Sequence, residues 1–261
     1  LRSSSAASDV YKRQVFKSQY PLLTFTRVIL FFFGFSSFYV SLTVLPLGTA
    51  TALFFVTPFL ITIFAHFFLK EEIGLRRWSA VVVGFIGVYV TLNPDFSNFN
   101  YLSLLPILCA FCYSLSMIII KKTSDKDSVY TQTFTFYIGA IILSIIFYFV
   151  IGDGQYNTSN HPASQFIFRE WFVDFNSNIL LMTATGVTAT IAFFFLFTAY
   201  SIASPSVVSP FEYSILFWSP LVGWLYFDEI PSLNTVVGIL IIVSSGVYIF
   251  MREKAQNQSI A

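Results

Sequence analysis

Apolar residues occur in eight runs along the chain, separated by segments that carry most of the polar and charged residues. A transmembrane helix needs about 20 predominantly apolar residues, and most of the runs reach that length. The third run is the shortest, and Leu75 with its flanking arginines can extend it by snorkelling. The pattern predicts eight membrane-spanning helices: Pro21–Leu45, Thr49–Leu69, Trp78–Leu92, Tyr101–Ile120, Tyr130–Ile151, Ile179–Ile202, Ser206–Phe227 and Ser232–Met251.

The composition agrees with this pattern. Of the 261 residues, 56% are hydrophobic and only 10% are charged, with a mean hydropathy of +0.74. A soluble domain carries about 25% charged residues, so the chain is predicted to be an all-α, multi-pass membrane protein. The net charge of +1 gives no indication of nucleic-acid binding, which would need clustered Lys and Arg.

The positions of the basic residues predict the orientation in the membrane. Basic residues follow the second, fourth and eighth runs: Lys70, Arg76, Arg77, Lys121, Lys122, Lys126, Arg252 and Lys254. Cytoplasmic loops carry an excess of Lys and Arg, so both ends of the chain are predicted to be cytoplasmic. The polar loop Gly152–Asn176 then faces outward. We expect a cytoplasmic, or inner, membrane.

Two stretches of the chain resemble each other. The first, ALFFVTPFLITIFAHFFLKEEIGLRRWSAVVVGFIGVYV, and the second, PFEYSILFWSPLVGWLYFDEIPSLNTVVGILIIVSSGVYI, each form a hairpin with an acidic turn. The charge pattern places the first turn inside and the second outside, with five crossings between Glu71 and Glu229. An inverted repeat of five spans follows, which is a device of transporters.

Five spans per repeat predict ten in total, so two spans would precede Pro21. Residues 9–14, DVYKRQ, resemble the translation of a transposase end used in sequencing libraries, and residues 1–14 are interpreted as an artefact. The predicted organisation is a C-terminal part of the first repeat with three spans (15–95), a second repeat with five spans (96–251) and a cytoplasmic tail (252–261).

On the two hairpins, the chain resembles the EamA-like type of the drug/metabolite transporter superfamily. The FEY version in the second hairpin is similar to a branch that includes S-adenosylmethionine uptake carriers. The resemblance implies ten helices, two inverted repeats and a central cavity. It also implies that a small organic metabolite is transported by alternating access. The chain lacks a GxxxxGK[ST] loop, which disfavours a primary pump. A non-transporting membrane scaffold and an intramembrane enzyme are the alternatives.

Glu212 is the most informative polar residue, because a carboxylate inside a membrane span is costly and usually functional or paired. Its counterpart in the first hairpin is Phe54, so the fold itself does not require a carboxylate at this position. We expect Glu212 to face the cavity and contact a cationic part of the solute or a proton. The candidate substrate-binding residues are Glu212, Tyr213, Ser209, Tyr39, Thr57, Tyr113 and Trp218.

Other polar positions are interpreted as structural. Glu71 and Glu229 lie at helix ends and are expected to fix the turns, with gating or ion coupling as the alternative. Gly87 and Gly246 are expected to allow close helix packing. Proline residues within the spans predict helix kinks. These prolines are Pro58, Pro210 and Pro220.

Three further residue types leave alternatives open. Arg27 is favoured at the cytoplasmic interface over binding of an anionic substrate. His66 is expected to bond a backbone group rather than join a proton relay, and His161 to be solvated. Cys109 and Cys112 are expected to pack rather than form a redox or metal-binding pair. We expect no cofactor. The expected partners are a small organic solute and the lipid bilayer. A coupling proton or ion and a homodimer are left open.

Overall fold

The computed structural model describes residues 17–71, 74–93, 100–173 and 175–258. Within these residues all regular secondary structure is helical and no strand occurs, which confirms the all-α prediction. Residues 1–14, interpreted above as an artefact, lie outside the described part of the chain, as do residues 94–99 after the third predicted span.

The predicted apolar runs correspond to helices, and two of them are interrupted: the second divides into two α-helices, and the seventh divides into two α-helices with a 3₁₀ helix between them. The 3₁₀ helix Tyr101–Leu104 precedes α5, and the 3₁₀ helix Ser209–Ser214 precedes α10. The α-helices are α1 (Pro21–Ser41), α2 (Leu47–Phe54), α3 (Thr57–Leu69), α4 (Leu75–Leu92), α5 (Leu105–Thr123), α6 (Val129–Ile151), α7 (Pro162–Phe168), α8 (Phe175–Ile202), α9 (Pro205–Val208), α10 (Ile215–Phe227) and α11 (Leu233–Gln258). Helix α7 lies in the predicted outer loop, and α11 continues into the predicted tail.

The chain is a multi-pass membrane protein. Among the described residues, five segments are long and apolar enough to cross a membrane, and two shorter apolar stretches are Trp78–Leu92 and Leu233–Tyr248. These five segments are Pro21–Ser41, Leu47–Leu69, Tyr101–Thr123, Val129–Ile151 and Ser177–Ile202. The count of eight spans stays a prediction, because the predicted seventh span is divided among α9, a 3₁₀ helix and α10.

One compact unit comprises Leu1–Phe32 and Ile119–Ala203. Its aromatic centre joins α1, α6 and α8, with the Phe31 ring 4.9 Å from that of Phe136 and the Phe136 ring 5.3 Å from that of Phe197. Outside this centre, large apolar side chains of α6 and α8 are exposed. Exposed apolar surface of this extent is typical of helices that face lipid.

Arg27 is enclosed in this unit, with only 1% of its surface exposed. Its guanidinium donates hydrogen bonds to the Gln132 carbonyl and, at 3.4 Å, to the Gln132 side-chain oxygen. It also lies over the rings of Phe136 and Phe197, 5.8 and 5.0 Å from their centroids. The side chain therefore does not snorkel to water, as the interface position favoured above assumed, because polar oxygens and two aromatic faces replace the water that would solvate the charge.

The other compact unit comprises Phe33–Ile118 and Ser204–Ala261. Its core is built from helices of both predicted hairpins together with α5. The buried apolar residues of this core are Ala52, Leu53, Phe55, Val56, Phe59, Ala80, Val81, Val88, Ala110, Tyr213, Leu216 and Ile242. The core therefore combines residues from the two similar stretches of sequence.

Glycines allow α4 and α11 to pack closely in this unit. A Cβ atom on Gly87 would lie 2.9 Å from Ile242 Cγ1 and 3.1 Å from the Gly238 carbonyl oxygen. A Cβ atom on Gly84 would collide with the Phe59 ring. Small residues at these contacts let the helix backbones approach, which is how helices associate in a membrane.

The two hairpins share one pattern of helix starts. The first residues of α9, α10 and α11 follow those of α2, α3 and α4 at an identical offset along the chain. At that offset Phe54 corresponds to Glu212, and Phe55 corresponds to Tyr213. The local structure of the hairpin is thus repeated, whereas the inverted arrangement of five spans remains a prediction.

Prolines lie at or near the two places where a predicted span is interrupted, between α2 and α3 and between α9 and α10. Pro58 lies in the first turn of α3, Pro205 begins α9, and Pro210 lies in the 3₁₀ helix. Proline lacks an N–H group and cannot continue an upstream helix without losing a hydrogen bond. Pro220 behaves differently, because it lies inside α10 and the helix continues past it to Phe227.

Candidate functional site

Glu212 lies in the 3₁₀ helix Ser209–Ser214, where the predicted seventh span is interrupted. One of its carboxylate oxygens accepts a hydrogen bond from the Tyr113 hydroxyl of α5 at 3.0 Å. Glu212 is half-buried and Tyr113 is buried. The structure thus brings together two predicted site residues that are far apart in the sequence, and we refer to them as the Glu212–Tyr113 pair.

Aromatic rings surround the tyrosine of this pair. The Tyr113 ring lies edge-on to Phe54 and Phe35, with centroid distances of 5.4 and 6.3 Å. Phe38 extends the group, with its ring 5.9 Å from that of Phe54. Aromatic faces attract organic cations, and a carboxylate adds a full negative charge. A carboxylate beside aromatic rings is therefore suited to a cationic organic group.

Tyr213, the neighbour of Glu212, points into the core. It is 6% exposed, and its ring lies 5.7 Å from the ring of Phe55, the residue at the corresponding position of the first hairpin. A Cβ atom on Gly246 would collide with the Tyr213 ring, so this glycine makes room for the side chain. The buried Tyr213 hydroxyl has no hydrogen-bond partner among the described residues.

Thr57 and Ser209 are buried beside the two breaks. The Thr57 hydroxyl donates to the Phe54 carbonyl at 2.5 Å, and the Thr57 carbonyl accepts from the Ser114 hydroxyl at 3.3 Å. The two bonds satisfy backbone carbonyls on either side of the break between α2 and α3. Thr57 therefore stabilises the break in this structure, since buried backbone groups must be paired.

Tyr39 and Trp218 are exposed. Tyr39 reaches the aromatic group through Phe38, whose ring lies 6.2 Å away. The Trp218 ring contacts that of Phe217 at 5.3 Å. The structure thus places the candidate residues in three settings: the Glu212–Tyr113 pair, the buried Tyr213, Thr57 and Ser209, and the exposed Tyr39 and Trp218.

Glu71 and Glu229 occupy matching turns. Each follows a residue in the left-handed conformation, Lys70 with φ 58° and Asp228 with φ 54°. The Glu71 N–H donates to the Ala65 carbonyl at 3.2 Å, and the Glu229 N–H donates to the Gly223 carbonyl at 3.1 Å. Helices commonly end in this way, with a left-handed residue that closes the last turn.

The remaining polar candidates have local roles in the structure. His66 Nδ1 lies 2.8 Å from the Glu71 carbonyl oxygen, as expected for a bond to a backbone group. His161 caps α7 by accepting from the Ala163 N–H at 3.3 Å. Cys109 and Cys112 are buried and unbridged. Within the described residues, no group of three or more His, Cys, Asp or Glu side chains could hold a metal ion.

Sequence reasoning missed Phe35 and Phe38 as neighbours of the site. Phe54 entered only as the counterpart of Glu212, and its contact with Tyr113 was not predicted. Aromatic residues are abundant in this chain, 20% of the total, so no single phenylalanine stands out in the sequence. The identical offset between the hairpins is the signal that marked Phe54.

Comparisons with known proteins identify the class. The EamA-like transporter family matches residues 5–93 and 101–251. The chain is 32% identical to an S-adenosylmethionine uptake transporter of Rickettsia conorii over 94% of this chain and 76% of the relative. It is likewise 32% identical to an S-adenosylmethionine uptake transporter of Rickettsia prowazekii over 95% of this chain and 78% of the relative.

A third relative is named for a different solute. The chain is 30% identical to a riboflavin transporter of Vibrio cholerae over 82% of this chain and 65% of the relative. All three relatives are named as transporters and none as an enzyme. On the extent of the family match and of these identities, the chain belongs to the EamA-like transporter family.

Proposed function

We propose that this protein is a secondary carrier that moves a small organic cation across the cytoplasmic membrane by alternating access between two inverted repeats. The observation that carries the choice of a cation is the Glu212–Tyr113 pair with its aromatic surround. S-adenosylmethionine, the solute named for the Rickettsia relatives, carries sulfonium and ammonium groups and fits this chemistry. Riboflavin, a neutral solute at pH 7, makes less use of the carboxylate.

The proposed topology has both ends of the chain in the cytoplasm and the loop Gly152–Asn176 outside. It is supported by the alternation of basic segments along the sequence. The eight proposed spans include the broken segments, because irregular backbone is tolerated at membrane depth where it lines a cavity or is covered by protein. A proton or other ion is proposed to couple the movement, with Glu212 as the candidate carrier of the proton.

Binding and uptake by the purified chain test the function. We expect S-adenosylmethionine to raise the unfolding temperature in detergent and labelled S-adenosylmethionine to enter proteoliposomes, with competition by excess unlabelled compound and not by riboflavin. Glu212→Gln should raise the KM about fivefold or more, since a hydrogen bond to a charged group exceeds a neutral one by roughly 1 kcal/mol or more. The exposed Glu170, replaced by Gln, is the matched control.

Two results would contradict the proposal. If Glu212→Gln leaves the uptake rate and its pH dependence unchanged, Glu212 is not part of the solute or proton path. If riboflavin competes with labelled S-adenosylmethionine as strongly as the unlabelled compound does, the site does not select a cation.

A further inference from the structure

We propose that Glu71 and Glu229 form two reciprocal clasps, in which each carboxylate holds the start of the broken helix of the other hairpin. The clasps thereby position the Glu212–Tyr113 pair. The contacts stand independently of any transport activity, and only the consequence for solute binding rests on the function proposed above. All the residues concerned belong to the compact unit formed by Phe33–Ile118 and Ser204–Ala261.

The first clasp joins Glu229 to the N-terminus of α2. Glu229 Oε2 accepts a hydrogen bond from the Leu47 N–H at 2.7 Å. Leu47 is the first residue of α2, and the preceding Pro46 supplies no side-chain cap. The first N–H groups of a helix need an external acceptor, and a negative charge there is favoured by the helix dipole. The Glu229 carboxylate, from the turn of the second hairpin, meets this need.

Gly223 leaves space for the first clasp. A Cβ atom at this position would lie 3.1 Å from Glu229 Oε2 and 3.8 Å from Leu47 Cβ. The corresponding residue of the first hairpin is Ala65, and both provide the carbonyl that closes their own turn. The backbone bond of the turn is thus the same in both hairpins.

The second clasp joins Glu71 to the start of the broken segment in the second hairpin. The Ser204 hydroxyl donates to Glu71 Oε1 at 2.7 Å. Ser204 is the cap residue of α9, yet its side chain makes no capping bond to its own helix. A serine at this position normally bonds to the second or third N–H of the helix that follows. Here the hydroxyl instead contacts the carboxylate of the other hairpin.

The two contacts are related by the repeat. Glu71 and Glu229 occupy corresponding positions, and so do Leu47 and Pro205, which begin α2 and α9. A glutamate that served only its own turn would bond within its own hairpin. Both carboxylates reach the opposite hairpin, at the same 2.7 Å distance. The exchange of contacts between hairpins distinguishes a clasp from an ordinary helix end.

The held segments carry the candidate site. Helix α2, which begins at the Glu229 clasp, ends at Phe54, whose ring packs on Tyr113. The segment that begins at Ser204 leads through α9 into the 3₁₀ helix that contains Glu212. Each clasp therefore fixes one end of a short segment whose other end contributes to the Glu212–Tyr113 pair. Glu71 and Glu229 are positioning residues for that pair.

Hydrogen exchange at single amides tests the clasps directly. Glu229→Ala should speed exchange of the Leu47 amide about tenfold or more and leave the Val207 and Val208 amides unchanged, because a lost hydrogen bond to a charged group costs roughly 1.5–3 kcal/mol. Glu71→Ala should do the reverse, since the Val207 and Val208 amides bond to the Ser204 carbonyl. Each variant is therefore the control for the other.

Milder variants keep the test valid if an alanine variant fails to fold. Glu229→Gln and Glu71→Gln retain an acceptor oxygen and should give intermediate exchange rates at the same amides. Ser204→Ala should reproduce Glu71→Ala, and the double variant should show no further increase. The proposal is overturned if either single variant speeds amide exchange equally at both segments. It is also overturned if the exchange rate at the expected segment does not change.

Solute binding supplies a separate measurement. Both alanine variants should raise the KM for labelled S-adenosylmethionine several-fold, with the conservative Gln variants nearer the unchanged chain. If the exchange pattern is reciprocal but the chain takes up no solute, the clasps stand and the proposed function fails. If uptake is normal and the exchange pattern is absent, the clasps fail alone.

Discussion

The packing of α4 against α11 predicts a large difference between two glycine substitutions. A Cβ atom on Gly238 would collide with the Thr91 hydroxyl and lie 2.8 Å from the Gly87 carbonyl oxygen. The Thr91 hydroxyl already donates to that carbonyl at 3.0 Å, so turning it away would break this hydrogen bond. Gly238→Ala therefore requires the two helix backbones to separate.

The expected loss follows from two opposing contributions. Overpacking a tight contact costs about 1–3 kcal/mol, and the rigid backbone carbonyl places this case in the upper half of that range. Replacing glycine by alanine within a helix returns about 1 kcal/mol. Gly238→Ala is thus expected to lower the free energy of unfolding by about 1–2 kcal/mol.

Gly186 is the matched control, because a Cβ atom there would meet nothing within 4 Å. Gly186→Ala lies in the exposed helix α8 and should leave stability unchanged or raise it by up to about 1 kcal/mol. The assay is unfolding of the detergent-solubilised chain by increasing denaturant, followed by circular dichroism. Adding Thr91→Ala to Gly238→Ala should recover part of the loss, since it removes the nearer obstacle. Equal stabilities of Gly238→Ala and Gly186→Ala would refute the reasoning.

Two further predictions concern buried polar side chains. Arg27→Lys should lower the free energy of unfolding by about 2 kcal/mol, because lysine cannot reproduce the two bonds to Gln132 and the contact with two rings. The exposed Arg169, which lies 4.7 Å from the Phe166 ring centroid, is the control, and an equal effect of Arg169→Lys would contradict the assignment. Tyr213→Phe should keep or raise stability, since it removes a buried hydroxyl without a partner in the described residues, whereas Tyr113→Phe should lower stability by about 1 kcal/mol. The same unfolding assay decides both, and a greater loss in Tyr213→Phe than in Tyr113→Phe would show that the Tyr213 hydroxyl is bonded.

Much of the fold could be predicted from apolar runs. The run Tyr130–Ile151 corresponds to α6, Val129–Ile151, and the run Trp78–Leu92 lies within α4. Such agreement follows from the membrane, which demands long apolar segments with internally bonded backbones. Breaks were harder to predict: Pro58 marks one, whereas Pro220 lies within a continuous helix.

The candidate site was only partly predictable. Glu212 stands out in the sequence as a carboxylate in an apolar run, and Tyr113 was one of several polar residues within spans. Their hydrogen bond joins α5 to the 3₁₀ helix across 99 positions, a separation that no local pattern reveals. Phe35 and Phe54 join the pair for the same reason, since only the folded chain brings them to Tyr113.

By itself the sequence determined that this chain is helical, lies in a membrane and contains two similar hairpins. These properties follow from hydrophobic length and from residues repeated at a fixed offset, which are both local in the chain. The tertiary structure decided that Arg27 is buried against Gln132 and that Glu71 and Glu229 each bond to the opposite hairpin. A charged residue near a helix end is solvated unless distant groups enclose it, and the position of those groups is set by packing rather than by neighbouring sequence.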